Sequence, residues 1–551
     1  MIKEHGVLGM VGLVLTTATL QGQEAFAAPE TGGGGLQFWD WAVIGGYLAV
    51  VLGLGWFYSR QTTDSRDYFI ASRKTMPSFW VGISIYATLL STITYLGKPG
   101  EIINRGPMLI VGQLVTIPFV YWIVGHVIIP RLMRERVTSA YELLELRLGP
   151  SVRLLGAGLF VGLRLIWMGL LIYLSSVALT VIFGLDSKWT PMVSMVTGFI
   201  AVVYTAIGGL RTVIITDAIQ FGLLFLGAVM VIVIVSMRLD GFSWLPTEWS
   251  PHWDEQPWIT FDPHVRVSVL GTIISMGLWA VATAGGDQTA VQRYMATADV
   301  RAARRSYLVN SVAMAVVSLL LGALGLALLA FYTQVPGTLG AGMSIATDAD
   351  RLFPYFIAHH LPVGLAGLVV SAAIAAAMSS VDSGVNSITA VTMSDFLPRL
   401  GWRPKSARAT MLFSKLMAGG IGTAVVLASM LVQHVPGNFV GMTSRTANLV
   451  VVPLFVLFVF ALWVPRATPL AAWLGAAYGL TAATLIAFWD GITGGEAISF
   501  QWMALGALVA NMAVGLALSQ WGPRREETRK SWVVGAVGSG ALVVIVAGLV
   551  V

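Results

Sequence analysis

The chain of 551 residues contains no cysteine and few charged side chains, which make up 11% of it. The absence of cysteine excludes disulfide bridges, thiolate metal centres and cysteine nucleophiles. A soluble protein usually carries about 25% charged residues, so the low charge argues against a soluble chain. No GxxxxGK[ST] loop occurs either, and the sequence therefore lacks that kind of ATP site. No constellation of a nucleophile with a base, and none of metal ligands, indicates an enzyme.

What the sequence contains in abundance is apolar residues, 56% of the chain, gathered into long runs. Runs of about 20 residues cross a bilayer as helices, so we predict an all-α polytopic membrane protein with about 14 spans. The first span begins near Phe38 and the last covers 532–551. Most Lys and Arg residues fall in alternate loops, which the positive-inside rule places in the cytoplasm. These loops explain the net charge of +6 without a nucleic-acid partner. No obligatory protein partner is implied.

The first 28 residues have the pattern of a signal peptide. Lys3 precedes an apolar run, and Ala25-Phe26-Ala27 is a cleavage site of the AxA type. An uncleaved extra helix is the alternative interpretation. With the loop charges, this pattern predicts a multi-pass protein of the cell (inner) membrane whose mature termini are both extracytoplasmic.

A polar face interrupts one of the apolar runs. At the helical period, Ser379, Asp382, Ser383 and Asn386 fall on one side of a predicted span. A carboxylate inside a membrane needs a cation, a partner or water. Hydroxyl and carboxylate oxygens suit an alkali ion better than a soft metal. The face therefore indicates a cation site within the membrane.

Two other spans carry polar residues and glycine near their ends. The second predicted span contains Ser91, Thr92 and Thr94 before Gly97, and the seventh contains Thr283 before Gly285-Gly286. Interrupted helices at corresponding positions of two halves are typical of inverted-repeat transporters, whose site lies between them. Two ordinary kinked helices are the alternative.

Three passages resemble the sodium/solute symporter family, whose members include sodium-coupled sugar, vitamin and monocarboxylate transporters. They are Tyr204–Gln220, which reads YTAIGGLRTVIITDAIQ, Gly286–Tyr294, which reads GDQTAVQRY, and Ala376–Ser387. The resemblance implies an inverted-repeat core of five plus five helices. The first repeat would be 76–240, and the outer loop with the second repeat would be 241–464. Residues 29–75 and 465–551 would then be peripheral.

The resemblance also implies where ligands bind. One sodium ion would lie between the second and ninth spans. Its ligands would be carbonyls of Ala87, Leu90 and Ala376 and hydroxyls of Ser379 and Ser380. Asp217, Asp382 and Ser383 are candidates for a second cation site. Asp217 could instead stabilise a helix start, and Asp382 could form a buried salt bridge or bind a proton.

The solute is expected at the level of the interrupted helices. Candidate contacts are Tyr86, Ser91, Thr92, Thr94, Trp279 and Thr283. Arg164 lies deep in a span and would either pair with a substrate carboxylate or extend its guanidinium to the membrane surface. Lys98 is a weaker candidate for the same role.

The sequence thus predicts a symporter that couples sodium to a small polar organic solute, such as a sugar, a sialic acid or a monocarboxylate, by alternating access. One alternative is a proton-coupled transporter that uses Asp217 or Asp382. Another is a membrane sensor built on a transporter fold.

Overall fold

The computed structural model describes residues 36–59, 76–134, 139–207, 209–402, 406–430, 432 and 439–521. The predicted signal segment, 1–28, and the predicted last span, 532–551, lie outside these residues. Over the described residues the chain forms helices and loops, without a β-strand. In that part, 10 helices are long and apolar enough to cross a membrane, or 11 spans with one bent pair. The all-α prediction is confirmed, whereas the number of about 14 spans is not.

The described residues up to 238 form eight helices. They are α1 (Phe38–Ser59), α2 (Ser78–Leu89), α3 (Ile93–Arg105), α4 (Met108–Leu132), α5 (Ala140–Leu148), α6 (Pro150–Ile182), α7 (Thr190–Ile207) and α8 (Leu210–Arg238). The short helix α5 lies in what the sequence marks as a basic loop. Its N-terminus is capped by the Ser139 hydroxyl, which accepts a hydrogen bond from Tyr141 N.

Ten more helices follow in the described residues from 269 onward. They are α9 (Val269–Gly286), α10 (Gln288–Met295), α11 (Val300–Gln334), α12 (Ala349–His359), α13 (Leu365–Val391), α14 (Ala407–Ser429), α15 (Phe439–Trp463), α16 (Pro469–Ala487), α17 (Trp489–Thr493) and α18 (Gln501–Trp521).

Helix α13, which carries the polar face, lies at the centre of the molecule. The most apolar part of this span is 89% buried, the largest fraction among the candidate spans of the described residues. Its alanines, serines and glycines allow neighbours to come close. A Cβ atom at Gly384 would lie 2.4 Å from Met168 Sδ of α6. Because the side chains of α13 are small, other helices pack closely around it and keep its polar face away from lipid.

The N-terminus of α13 is held by a carboxylate from α1. Asp40 Oδ1 accepts hydrogen bonds from Gly364 N at 2.7 Å and Gly367 N at 2.8 Å. The first amides of a helix lack partners within the helix and attract negative charge, so a buried aspartate stabilises this end. The contact joins the peripheral helix α1 to the central one.

The chain bends by 68° between α2 and α3. Leu90 leaves the helical conformation with ψ of 86°. The β-branched residues Thr92, Ile93 and Thr94 follow, and their restricted side chains weaken the helix at this point. The predicted interruption of the second span is therefore a broken helix.

The seventh predicted span is also interrupted, directly after its glycine pair. Helix α9 continues through Gly285 and Gly286, and the break comes after them, at Asp287. A Cβ atom at Gly285 would lie 2.5 Å from Phe455 Cε2, and one at Gly286 would lie 3.1 Å from Phe455 Cα. The two glycines thus serve close packing against α15 rather than interruption of α9.

Candidate cation and solute site

The break after α2 frees a backbone carbonyl next to α13. Ser91 N donates to Leu89 O at 3.1 Å, so it does not form the regular helical bond to Ala87 O. Unpaired carbonyls at a broken helix are the groups that coordinate ions in transporters. Ala87, Leu90 and Ala376 are all at most 1% exposed. The break therefore supplies buried oxygen atoms without supplying charge.

The two serines of α13 reach different neighbours. Ser380 Oγ donates to Thr88 O at 3.2 Å, just before the break. Ser379 Oγ donates to Asp217 Oδ1 of α8 at 2.5 Å. Both serines are buried. The predicted sodium ligands are therefore brought to one region where α2, α8 and α13 meet.

Arg293 of α10 reaches into the same region. Its Nη2 donates to Thr88 Oγ1 at 2.6 Å, to Ser383 Oγ at 2.6 Å and to Asp217 Oδ2 at 3.1 Å. Its Nε donates to Ser84 Oγ at 2.8 Å. The Arg293 side chain is 1% exposed and that of Asp217 is 0% exposed. A buried guanidinium thus lies between Asp217 and Ser383, the oxygens predicted for a second cation.

Asp382 lies beside the ion pair of Asp217 and Arg293 but is not part of it. Its Oδ1 accepts a hydrogen bond from Ser383 Oγ at 3.2 Å, and its Oδ2 has no partner. The residue is 0% exposed. One turn further, both side-chain polar atoms of Asn386 are buried without a partner. Among the described residues Asp382 forms no ion pair, so the salt bridge weighed from the sequence is not found there.

A cavity of about 180 Å³ lies next to the broken helix. Five of the predicted solute contacts line it, namely Tyr86, Thr94, Arg164, Trp279 and Thr283. Gln113 of α4 and Asn448 of α15 add amide groups to the wall. Aromatic faces beside a few placed polar groups are the usual lining of a small-molecule site.

Two predicted solute contacts do not line this cavity. Thr92 Oγ1 donates to Ala373 O of α13 at 3.0 Å, and so holds α3 against that helix. The Ser91 hydroxyl lies 3.3 Å from Thr94 Oγ1. Ser91 can therefore orient Thr94, which does face the cavity. Their direct contact with solute stays a prediction.

Arg164 is not extended to the surface but is paired within the cavity wall, and its direct contact with the solute stays a prediction. Its Nη2 donates to Asp287 Oδ2 at short range, and both side chains are at most 7% exposed. Asp287 also caps α10, since its Oδ1 accepts from Thr289 N at 2.8 Å. The ion pair joins α6 to the junction of α9 and α10. It also cancels the charge of Arg164 within the cavity wall.

Lys98 is the other cation of the cavity wall. Its Nζ donates to Gln113 Oε1 at 2.7 Å and to Ser318 Oγ of α11 at 3.2 Å. Within the described part of the chain Lys98 forms no ion pair. The ammonium group is therefore held in place by neutral oxygens and keeps its charge uncompensated.

Comparison with known proteins agrees with this geometry. The sodium:solute symporter family model matches residues 68–479, most of the chain. The chain belongs to the sodium:solute symporter family. Among its relatives, the sodium/sialic acid symporter SiaT of Proteus mirabilis (strain HI4320) is 30% identical over 394 residues, 69% of this chain and 75% of the relative. Sodium-coupled monocarboxylate transporter 1 of Mus musculus is 30% identical over 477 residues, 83% of this chain and 74% of the relative.

Solved structures of other transporters also resemble the structure of this symporter. A substrate-bound, outward-open state of a Na⁺-coupled sialic acid symporter, with a novel Na⁺ site, superposes with a TM-score of 0.73. That structure is 26% identical and covers 89% of this chain and 99% of its own. The nucleobase-cation transporter Mhp1 has a TM-score of 0.51 at 13% identity, covering 86% of this chain and 98% of its own. The second likeness concerns the fold alone.

Family membership settles the general function. The protein is a multi-pass membrane transporter, not an enzyme, and sodium is its coupling ion. The prediction of sodium-coupled symport of a small solute is confirmed. The individual ligands of sodium and solute stay predictions.

Several residues of the site were not predicted from the sequence. Arg293 is buried in α10 and had no role assigned to it. Its place in the GDQTAVQRY passage was the available signal. Asp287 belongs to the same passage, and its partner Arg164 is 123 positions away in sequence. Gln113 gave no signal beyond being a polar residue in an apolar run.

Proposed function

We propose that this symporter carries a small organic carboxylate together with sodium. The observation that supports this is the charge of the cavity wall. Its charged residues are Lys98, Arg164 and Asp287. Arg164 and Asp287 neutralise each other, whereas Lys98 has only neutral partners. One positive charge is left over, and a buried charge is most stable with a counter-charge.

The relatives are consistent with an anionic solute. Sialic acid and the monocarboxylates, named for two of them, both carry a carboxylate. A sugar without charge would leave the Lys98 ammonium uncompensated in the filled cavity. An anionic solute would add an ion pair to these contacts and would supply the missing counter-charge.

Sodium would bind at the carbonyls of Ala87, Leu90 and Ala376 and the hydroxyls of Ser379 and Ser380. Such an oxygen cage suits a hard cation. The position of this sodium site suggests how the binding of sodium is coupled to the binding of the solute. Thr88 lines the cavity, and its carbonyl accepts a hydrogen bond from Ser380 Oγ. Sodium that orders this turn would order the cavity wall, and the coupling free energy is the same in both directions.

The finer architecture also belongs to this proposal. We place the inverted repeats at 76–240 and 241–464, with 29–75 and 465–551 as peripheral segments and about 14 spans in all. The loop charges favour a cell (inner) membrane location with both mature termini outside. The solute and sodium would then enter from outside and leave to the cytoplasm by alternating access.

Uptake into proteoliposomes tests the solute class. Labelled N-acetylneuraminate, lactate and glucose would be offered in sodium and in equal potassium. We expect sodium-dependent uptake of a carboxylate but not of glucose. Lys98→Met should weaken carboxylate binding about 10–100-fold, because a hydrogen bond to a charged group contributes roughly 1.5–3 kcal/mol. Lys98→Arg should retain part of the affinity for the carboxylate.

Lys188→Met provides the matched control, since Lys188 is an exposed lysine outside the cavity. It should leave uptake unchanged. Carboxylate uptake with unaltered affinity in Lys98→Met would refute the role of Lys98. Sodium-dependent uptake of glucose but of neither carboxylate by the wild type would refute the proposed solute class. Equal uptake in sodium and potassium would refute the assigned coupling.

A further inference from the structure

Helices α4 and α11 lie side by side and contact each other at two levels. Arg304 Nη2 of α11 donates to His126 Nε2 of α4 at short range. Further along the pair, a Cβ atom at Gly322 of α11 would lie 2.7 Å from Ile110 Cδ1 of α4. The exposed sides of the two helices therefore form one continuous surface, which we call the α4–α11 surface.

Large apolar side chains, 41–63% exposed, recur every three or four residues along this surface. They are Val115, Phe119 and Trp122 on α4 and Leu308, Val312, Val316 and Leu319 on α11. Residues at this spacing share one side of a helix. The stripe on α11 rises about 16 Å from its first to its last member. This length is close to the roughly 15 Å of hydrocarbon in one leaflet of a bilayer.

Positive charge is found at one end of both stripes. Arg305 is exposed and lies three residues before Leu308, so it continues the stripe of α11. His126 lies four residues after Trp122, and its ring stacks on that indole with the centroids 6.3 Å apart. Arg304 reaches from α11 to His126 and so connects the two stripes at this end.

The two arginines have no counter-charge in the part of the chain that the structure describes. Arg304 has His126 as its partner, and because a guanidinium only donates, the imidazole accepts and is neutral. Asp299, near them in sequence, caps α11 instead, since its Oδ1 accepts from Ala302 N at 2.7 Å. The positive-inside rule explains why such charges lie on the cytoplasmic side. It does not explain why they meet where two helices join.

We propose that an anionic phospholipid of the cytoplasmic leaflet binds to the α4–α11 surface. Its phosphate would lie at Arg304 and Arg305, and its acyl chains would follow the two apolar stripes. A guanidinium pairs with phosphate oxygens through parallel N–H donors. Basic pockets between spans on the cytoplasmic side are suited to such headgroups. This surface lies outside the solute cavity, so the inference does not depend on which solute is carried.

Titration of the purified full chain in detergent, followed by native mass spectrometry, tests the inference. We expect one saturable site for dioleoylphosphatidylglycerol. Dioleoylphosphatidylcholine has the same acyl chains but no net charge, and it should bind roughly 10-fold more weakly or worse, because each arginine contributes about 5-fold to the affinity for an anionic lipid. Glycerol 3-phosphate carries the phosphate without acyl chains and should not compete.

Single substitutions locate the site. Arg304→Gln and Arg305→Gln should each weaken the binding of phosphatidylglycerol about 5-fold and leave that of phosphatidylcholine unchanged. Arg408→Gln is the matched control, since Arg408 is an exposed arginine in the first turn of α14. It should change neither affinity. Arg305→Gln keeps the test decisive if Arg304→Gln does not fold, because Arg305 is exposed at the surface.

Three outcomes would overturn the inference. Equal affinity for the two lipids would show that the arginines do not select an anionic headgroup. A loss in the control variant as large as in the site variants would indicate general attraction to positive charge. Competition by glycerol 3-phosphate would assign the two arginines to a soluble phosphate compound rather than to a lipid.

Discussion

Replacing Arg293 by methionine removes a buried guanidinium and keeps most of the length of its side chain. In the structure this guanidinium contacts Asp217, Ser383, Thr88 and Ser84. The variant leaves Asp217 at 0% exposure without its counter-charge. The three hydroxyls also lose a donor, although each can rotate to a new partner.

The size of the effect follows from this geometry. Removing one partner of a buried ion pair costs about 3–5 kcal/mol, because the other charge stays buried and unpaired. We expect sodium to take the vacated position in this variant. A ligand at 100 times its Kd stabilises the folded state by about 2.7 kcal/mol. Much of the loss in potassium should therefore be recovered in saturating sodium.

Thermal unfolding in detergent measures both effects. We expect the Tm of Arg293→Met to fall by roughly 3–4 °C in potassium. The fall should be clearly smaller in sodium. Arg301→Met is the matched control, since it removes the same group from an exposed position of α11. A Tm equal to that of the control in potassium would refute the role of Arg293 as the counter-charge of Asp217.

Two further predictions concern the first sodium site and the helix packing. Ser380→Ala removes the hydroxyl that donates to Thr88 O. The rise in Tm that sodium produces in the wild type should therefore be largely lost. An unchanged rise would exclude Ser380 as a ligand. Gly285→Ala places a Cβ atom 2.5 Å from Phe455 Cε2, and this overpacking should cost about 1–3 kcal/mol in thermal unfolding. Gly45→Ala, where the added atom meets nothing within 4 Å, should cost less, and equal costs would contradict the packing argument.

The spans of the described chain could be predicted because their signal is local. Apolar length sets whether a helix crosses a membrane, and the helical period sets which residues share a face. For this reason the face of Ser379, Asp382 and Asn386 was apparent before any contact was known. The weakness of the helix near Leu90 also followed from its neighbours, although the angle of 68° did not. The packing role of Gly285 did not follow from the sequence, because a packing glycine and a breaking glycine look alike there.

The pairing of buried charges was decided by the tertiary structure alone. Arg164 meets Asp287 across 123 positions, and Arg293 meets Asp217 across 76. The sequence determined a membrane transporter with a cation-binding face, because hydrophobic length and periodicity act within one helix. Which cation has a counter-charge depends on which helices meet. That is how Lys98 is left with neutral partners in the cavity wall, and this group carries the solute class proposed for this symporter.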